Sequence, residues 1–384
     1  MSNPVLSSGL QLRSLITSNG QLELTLADEE LPAPGPGDVV VRIDAAPVNP
    51  SDVDLLLGPA DLSTINVGGT LERPVTSATV PEGALRGLAA RLDRSMPVGN
   101  EGAGLVVAAG SSPAAQALLN RKVAVFGDAM YSQYRCVPVQ QCMPLPEDAS
   151  AVDGASAFVN PLTALGMVET MRSEGHSALV HTAAASNLGQ MLSRVCQADG
   201  VQLVNIVRRP EQAKLLRDQG AAYVCDSSAD SFMADLTDAL AATGATIAFD
   251  ATGGGKLAGQ ILSCMERALN RNAKEYSRYG SAIRKQVYVY GLLDNSPAQI
   301  VFNFGMAWSM GGWLLSSFLR KAGAETVQRL RDRICRELKT TFASHYSRQI
   351  SLSQALLAET IAQYARPATG EKFLIVPNAA KERS

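Results

Sequence analysis

Apolar and polar positions change rhythm once along this chain, near residue 150. Before that point the periods are short. Leu10, Leu12 and Leu15, then Leu22, Leu24 and Leu26, alternate weakly, which predicts a β-hairpin. The run Leu31-Pro32-Ala33-Pro34-Gly35-Pro36-Gly37-Asp38 is a rigid turn ahead of a strand over 39–43. An Asn49-Pro50 turn follows, with Ser51 or Asp52 placed to cap a short helix over 53–57. Residues 58–97 show little periodicity and are expected to form a long loop with one short helix over 84–92, a candidate substrate-side lid. A glycine-punctuated strand over 99–110 and another over 122–126 complete a pattern of short strands and Pro/Gly turns, which reads as a β-barrel-like domain.

After residue 150 the pattern is one of longer, alternating elements. Ala-rich helices are predicted over 150–159 and 161–172, ahead of a strand over 178–180. Strands over 203–207, 222–225, 246–250 and 286–291 then alternate with helices over 210–219, 228–242 and 257–269. Such βα units predict a parallel, doubly wound sheet with its ligand at the carboxyl ends of the strands. The stretch 270–285 is polar and basic, a surface insertion. A helix over 324–342, a turn-rich stretch over 344–354 and a strand over 372–377 follow, the last returning to the first domain.

The stretch Val180-His181-Thr182-Ala183-Ala184-Ala185-Ser186-Asn187-Leu188-Gly189-Gln190 is a strand, a tight turn and a helix start. This is where α/β proteins hold a diphosphate on a helix N-terminus. Of the usual glycines only Gly189 remains.

Composition narrows the function classes. A length of 384 residues suggests two domains, and 46% apolar residues describe an ordinary globular protein. A net charge of −2, without a basic block interleaved with aromatics, argues against nucleic-acid partners. The six cysteines form no CxxC pair, which fits free thiols and a cytoplasmic location. No basic region leads into an apolar core over 1–20, so no signal peptide is expected. Residues 295–319 carry no charge, long enough to span a bilayer, but Pro297, Gln299, Asn303 and several glycines favour a buried strand and interface.

Several separated motifs then fall into one order. Val-Val-Val-Arg-Ile (39–43), Val-Asn-Pro-Ser-Asp (48–52), Gly-Asn-Glu-Gly-Ala-Gly (99–104), Val-Asn-Pro-Leu-Thr-Ala (159–164), the turn at 185–189 and Phe-Asp-Ala-Thr-Gly-Gly (249–254) follow one another at family intervals. Together they resemble the medium-chain dehydrogenase/reductase superfamily, and within it the zinc-independent NADPH:quinone oxidoreductases and enoyl-thioester reductases. The resemblance implies an α/β chain with a GroES-like β-barrel catalytic domain (1–155 and 344–384) and a doubly wound Rossmann domain (156–343) that binds NADPH. It also implies a homodimer joined through two Rossmann sheet edges.

Catalytic zinc in that superfamily needs thiolate and imidazole ligands. No cysteine stands near Pro47-Val48-Asn49, Asn100 occupies the place of the histidine before Glu101, and no four-cysteine lobe follows Gly110, so no metal is expected. In the turn, Thr182, Ala185, Ser186, Asn187, Leu188 and Gly189 are the expected diphosphate contacts, with Ser186 able to donate a hydrogen bond. After the next strand, where NAD enzymes carry an acid, stand Arg208 and Arg209, suited to a 2′-phosphate. The resemblance places Asn49 and Thr163 on the nicotinamide side, Tyr290, Gly291 and Leu292 in a loop over the cofactor, and Trp313, Leu314, Leu315 and Lys372 at its far rim.

Without a metal, hydride transfer needs an electron-poor acceptor, either a quinone or an activated enone. Where enoyl-thioester reductases carry a tyrosine proton donor this chain has Ala60, which lowers that alternative. Tyr131 is a candidate substitute donor. A non-catalytic member of the superfamily is the remaining alternative, because the turn has lost glycines.

Overall fold

The computed structural model describes residues 7–271, 273–366 and 370–379. The stretches 1–6 and 380–384, counted above with the catalytic domain, lie outside the described residues, as do residue 272 of the insertion and the start of the stretch read for a signal peptide. The chain divides into two compact units, Met1–Val159 with Ile334–Ser384, and Asn160–Arg333.

The first unit is built of two mainly antiparallel sheets. One runs in the order Asp61–Gly69, Pro74–Thr79, Gln21–Glu30, Ser8–Ile16, Met96–Pro97. The predicted hairpin is its centre, in a register that pairs Leu12 with Leu26 and Ser14 with Leu24. Leu12, Ile16, Leu22 and Leu24 are all buried there, as the alternation requires. The other sheet runs Cys142–Pro144, Lys122–Phe126, Glu101–Ala109, Asp38–Pro47, Phe373–Ile375, Arg348–Ile350, with Tyr134–Pro138 also on Asp38–Pro47. The C-terminal strand therefore does return to this unit.

Three expectations here are corrected. Residues 58–97 are not a long loop: they hold the strands Asp61–Gly69 and Pro74–Thr79, joined through Gly69 at φ 78°. Asp61–Gly69 is an edge strand exposed along nearly its whole length, so it shows no apolar alternation. Pro74–Thr79 buries Pro74, Thr76 and Ala78, which a hydropathy pattern does not register. The expected helix over 84–92 is only Glu82–Leu85 with a 3-10 turn Arg86–Leu88. The helix expected over 150–159 stops at Gly154, because the amides of Phe158 and Val159 donate to the Glu101 carboxylate.

The second unit carries a six-stranded sheet in the order Tyr223–Asp226, Gln202–Val207, Ala178–His181, Ile247–Asp250, Lys285–Val289, Trp308–Gly312, with every neighbouring pair parallel. In chain order this is 3-2-1-4-5-6, the doubly wound order of dinucleotide-binding sheets. The helix Asn187–Asp199 buries Met191, Leu192, Val195 and Cys196 and ends at Gly200 in the left-handed region. Pro210 opens the helix Pro210–Asp218 as its period predicts. The next helix begins at Phe232 rather than at 228, because Ser228 turns both its amide and its hydroxyl onto Asp226 Oδ1. The helix expected over 324–342 is Leu315–Arg336, interrupted at Gly323.

Residues 295–319 contribute the strand Asp294–Ala298 and the edge strand Trp308–Gly312, and no helix among the described residues is long and apolar enough to cross a membrane. Expected to be buried, this run is in part exposed in the single chain, with Val301, Phe302 and Met306 each more than 70% accessible.

The insertion is exposed at Tyr276, Tyr279 and Ile283, but Lys285 is fully buried and belongs to the sheet. Its Nζ donates to Glu266 Oε2 at 2.6 Å, and Glu266 Oε1 accepts from Asn270 Nδ2 and the Ser281 amide, so one buried carboxylate anchors both ends of the insertion. Lys285→Met is expected to cost about 3–5 kcal/mol, because it leaves Glu266 buried without its counter-ion. Glu266→Gln with Lys285→Met should recover most of that loss in urea unfolding; equal losses in the single and double variants would count against the pairing.

Candidate functional site

Each unit carries one constellation of polar residues. In the second unit it lies at the carboxyl ends of the parallel strands. The Ala184 amide donates to the Ile206 carbonyl, fastening the turn to the strand that leads into Arg208. Ser186 caps the helix Asn187–Asp199, its Oγ accepting from the Gly189 amide at 3.1 Å. That use of a lone pair leaves the Ser186 hydroxyl able to donate its proton to an anion. A Cβ at Gly189 would collide with the Ala184 carbonyl, so glycine is required for the helix to press onto the turn. Leu188 is half-buried and Ala185 buried beside them.

Asn187 is an ordinary first helical residue. The left-handed conformation falls instead on Ala183, at φ 50°. Thr182, expected among the diphosphate contacts, is 1% exposed and committed within the protein: its hydroxyl donates to Asp250 Oδ1 at 2.8 Å and accepts from the Ala251 amide. Asp250 also accepts from the amides of Thr252 and Gly253. Thr182 and Asp250 thus lace together the first and fourth strands, at the switch point of the sheet.

Arg208 and Arg209 are both exposed at the end of Gln202–Val207, and neither guanidinium is ion-paired among the described residues. Across the switch point, the Tyr290 amide donates to the Asp250 carbonyl, and a Cβ at Gly291 would stand 2.8 Å from the Ala251 carbonyl oxygen. Leu292 and Leu314 are exposed, whereas Leu315 is buried. Trp313 is half-buried, its Nε1 donating to Thr170 Oγ1 at 3.1 Å and its ring edge-on to Phe249. Thr163, on the helix Val159–Ser173, is 6% exposed.

Sequence reasoning missed His181 as a site residue, although it opens the turn. It is 0% exposed, its Nε2 lies 2.7 Å from the Tyr290 hydroxyl, and the two rings stack at 5.7 Å. Burial pulls its pKa down to about 3, so it is neutral. Among the described residues its Nδ1 meets no hydrogen-bond partner, an arrangement that costs about 1–3 kcal/mol for a buried polar atom.

In the first unit, Asn49, Tyr131 and Lys372 come together around Glu101 and Asp52, all of them buried. Asn49, not Ser51 or Asp52, precedes the helix Pro50–Leu57, and Asp52 bonds back to the Asn49 amide at 3.0 Å. The other Asp52 oxygen accepts from the Asn100 amide. Glu101 Oε1 accepts from Asn49 Nδ2 at 2.9 Å, and Oε2 from Phe158 and Val159. Lys372 Nζ donates to Ser156 Oγ at 2.7 Å, and the Tyr346 hydroxyl donates to the same oxygen. The Tyr131 hydroxyl donates to the Pro47 carbonyl, and burial holds its pKa well above the usual phenol range.

Burial pushes the Asp52 carboxyl up to about 7, with Glu101 adding to the rise. Burial draws Lys372 down to about 8 against the pull of Glu101 and Asp52. Glu101 is raised by burial and held back chiefly by Lys372. Ser156 and Tyr346 carry no spacing signal of their own; Asp52 and Glu101 stand inside sequence motifs but gain a role in this cluster only when the fold brings them to Asn49.

No family model matches the sequence. The mitochondrial enoyl-acyl-carrier-protein reductase of Mus musculus is 29% identical over 230 residues, covering 57% of this chain and 54% of its own length. The quinone oxidoreductase of Pseudomonas aeruginosa is 29% identical over 146 residues, 37% of this chain and 45% of its own. The chain thus spans about half the length of the curated relatives it matches. Along the whole fold, the crystal structure of a Mesorhizobium loti protein assigned by name to the NADPH:quinone reductases matches with a TM-score of 0.72 and 25% identity, covering 98% of this chain and 100% of that one. These relatives and structural neighbours are quinone oxidoreductases and enoyl reductases of the medium-chain dehydrogenase/reductase superfamily, and this chain is similar to them in sequence and fold. A superfamily Rossmann unit and a β-rich unit account for the two folds described above.

Two measurements test these constellations. An acid whose folded pKa is raised binds its proton in the native state before the unfolded chain does, so stability falls as pH rises from 3.8 towards 7. A lysine whose folded pKa is lowered works in the opposite direction, adding stability from about 8 to 10.5. Thermal midpoints should therefore fall between pH 4 and 7, and Asp52→Asn should flatten that fall while lowering the midpoint overall; an unchanged slope would remove the assignment to Asp52. Ala183→Gly should stabilise the protein by about 0.5–1 kcal/mol, because glycine has no steric cost at positive φ but loses more chain entropy. A lower melting temperature for that variant would contradict the left-handed turn.

Proposed function

We propose that this chain is a zinc-independent, NADPH-dependent reductase that passes hydride to a quinone or an activated enone. The observation that carries the reading is the pair of exposed guanidiniums, Arg208 and Arg209, on the strand bonded to a capped helix N-terminus. Two positive, bidentate donors at that strand end suit a ribose 2′-phosphate and give NADH nothing to balance them. The names of the Mesorhizobium loti and Pseudomonas aeruginosa relatives agree with a quinone acceptor.

When bound, NADPH supplies the hydride. The backbone at Ala185 and Ser186, the Ser186 hydroxyl and the Leu188 amide would hold its diphosphate, and in the same unit Tyr290, Gly291, Leu292, Trp313, Leu314 and Leu315 would bound the rest of the cofactor. By resemblance, Thr163 of the second unit and Asn49 and Lys372 of the first are each assigned a role towards the cofactor. Asn49 and Asn100 offer amides engaged with Glu101 and Ser51, where a zinc site needs thiolate and imidazole. The acceptor must then be electron-poor in its own right, and the proton of the reduced product comes from water. The Tyr131 hydroxyl, already given to Pro47, acts by supporting Asn49 and Asp52 rather than by releasing its proton.

An enoyl-thioester acceptor is the second reading, favoured by the mouse relative's name. Following NADPH oxidation across quinones, enones and enoyl thioesters separates the two. Arg208→Ala with Arg209→Ala should raise the KM for NADPH about tenfold or more and leave NADH use unchanged. An equal effect on both cofactors would sink the role of the arginines, and no tight NADPH binding by the unaltered protein would sink the enzyme.

The reading includes a homodimer and a cytoplasmic location. The strand Trp308–Gly312 ends the sheet with an open edge, flanked by exposed Val301, Phe302 and Met306, which suits pairing with the same strand of a second copy. Met310→Lys should convert a dimer to a monomer in light scattering; a monomeric unaltered protein would refute the pairing. Cell fractionation tests the location, for which six free thiols are the supporting feature.

A further inference from the structure

We propose that His181 is a positioning residue for the cofactor, acting through Tyr290: the buried imidazole fixes the tyrosine hydroxyl, and with it the ring at the carboxyl end of the sheet. The proposal rests on the NADPH reading given above.

The His181 ring is wholly buried and neutral, so it supplies no charge. Its Nδ1 meets no partner, so it does not complete a polar network. An aliphatic side chain would fill the same space without an orphaned nitrogen. Among the described residues the one polar bond the imidazole makes is Nε2 to the Tyr290 hydroxyl at 2.7 Å, backed by ring stacking at 5.7 Å and 19°.

The backbone around Tyr290 is held by other means. The amides of Tyr290, Leu293 and Asp294 donate to the carbonyls of Asp250, Ala251 and Thr252. Gly291 lies against Ala251, where no side chain fits. These bonds set the path of the chain and leave the tyrosine ring free to turn about its side-chain torsions. His181 removes that freedom. It sits one residue before Thr182, which ties the turn to Asp250, so the ring and the diphosphate turn are referred to the same strand end. Tyr290 is half-exposed despite its inward hydroxyl, and Leu292 beside it is 69% exposed, so this strand end presents apolar surface with a fixed aromatic face. A ring locked before binding spares the cofactor the cost of ordering it, which is preorganisation.

The test is a double-mutant cycle on NADPH affinity, read by cofactor fluorescence and by steady-state kinetics. His181→Leu and Tyr290→Phe should each raise the dissociation constant and KM for NADPH by about tenfold, with a smaller change in kcat. The double variant should match either single one, because both remove the same bond. His181→Leu should melt no lower than the unaltered protein, which a purely structural histidine would not allow, and His181→Gln should restore part of the affinity. Unchanged NADPH binding in His181→Leu, or additive losses in the double variant, overturns the proposal alone. Failure of the unaltered protein to bind NADPH removes the reading beneath it as well.

Discussion

Glu101 is the carboxylate around which the first unit closes. It accepts three hydrogen bonds from residues 52, 57 and 58 positions away, and it faces Lys372 from the far end of the chain. A carboxylate taken out of water is costly, and here its lone pairs are met by an amide side chain and two backbone amides with an ammonium beside them. The helix start at Asn49, the chain exit at Phe158 and Val159, and the C-terminal strand flanked by Lys372 depend on one buried group. Asn49 accordingly has its side chain held by Glu101, whereas Lys372 is held by Ser156 and feels Glu101 only through its charge.

The second unit positions its residues by the opposite means, through close approach of backbone. Gly189 under Ala184 and Gly291 under Ala251 are contacts that any side chain would break. At the switch point, Asp250 is spent on Thr182 and two amides and is in no ion pair among the described residues. Such a site keeps its shape without stored charge, leaving the exposed guanidiniums of Arg208 and Arg209 as the electrostatic feature that faces outward. That division suits a long anionic ligand, with neutral backbone against its middle and cations at one end.

How much of this was legible in the sequence follows from which forces leave a periodic trace. The parallel strands were legible because all four residues of Ala178–His181 and of Ile247–Asp250 are buried, giving compact apolar runs between helical periods. The hairpin at Asp61–Gly69 and Pro74–Thr79 was not, because an exposed edge strand is held by backbone pairing and by Thr76 and Ala78 rather than by large apolar side chains. Lys285 read as the end of a basic insertion, since nothing local marks its partner Glu266, nineteen positions earlier on a helix. Asp52 was legible only as a helix-start residue. Its second role, accepting from Asn100, needs a contact 48 positions long. The candidate turn was legible from residue size, whereas His181 was hidden in it, because a histidine inside an apolar strand carries no signal until Tyr290 is brought to it by the fourth crossover.

The loss of glycines from the turn has a specific structural meaning. If Asn187 had required a left-handed backbone, the helix start would be distorted and its amides turned from the position that holds an anion. Instead Asn187 is helical, Ser186 caps it, and Gly189 keeps the one contact that admits no side chain. The unfavourable backbone conformation is displaced to Ala183, on the strand side of the turn and away from the helix amides. There its cost falls on the stability of the fold rather than on the shape of the anion cradle. A turn that has kept Gly189 and moved its strain to Ala183 still presents an undistorted helix start, and that favours the proposed diphosphate role over a turn that has lost its ligand.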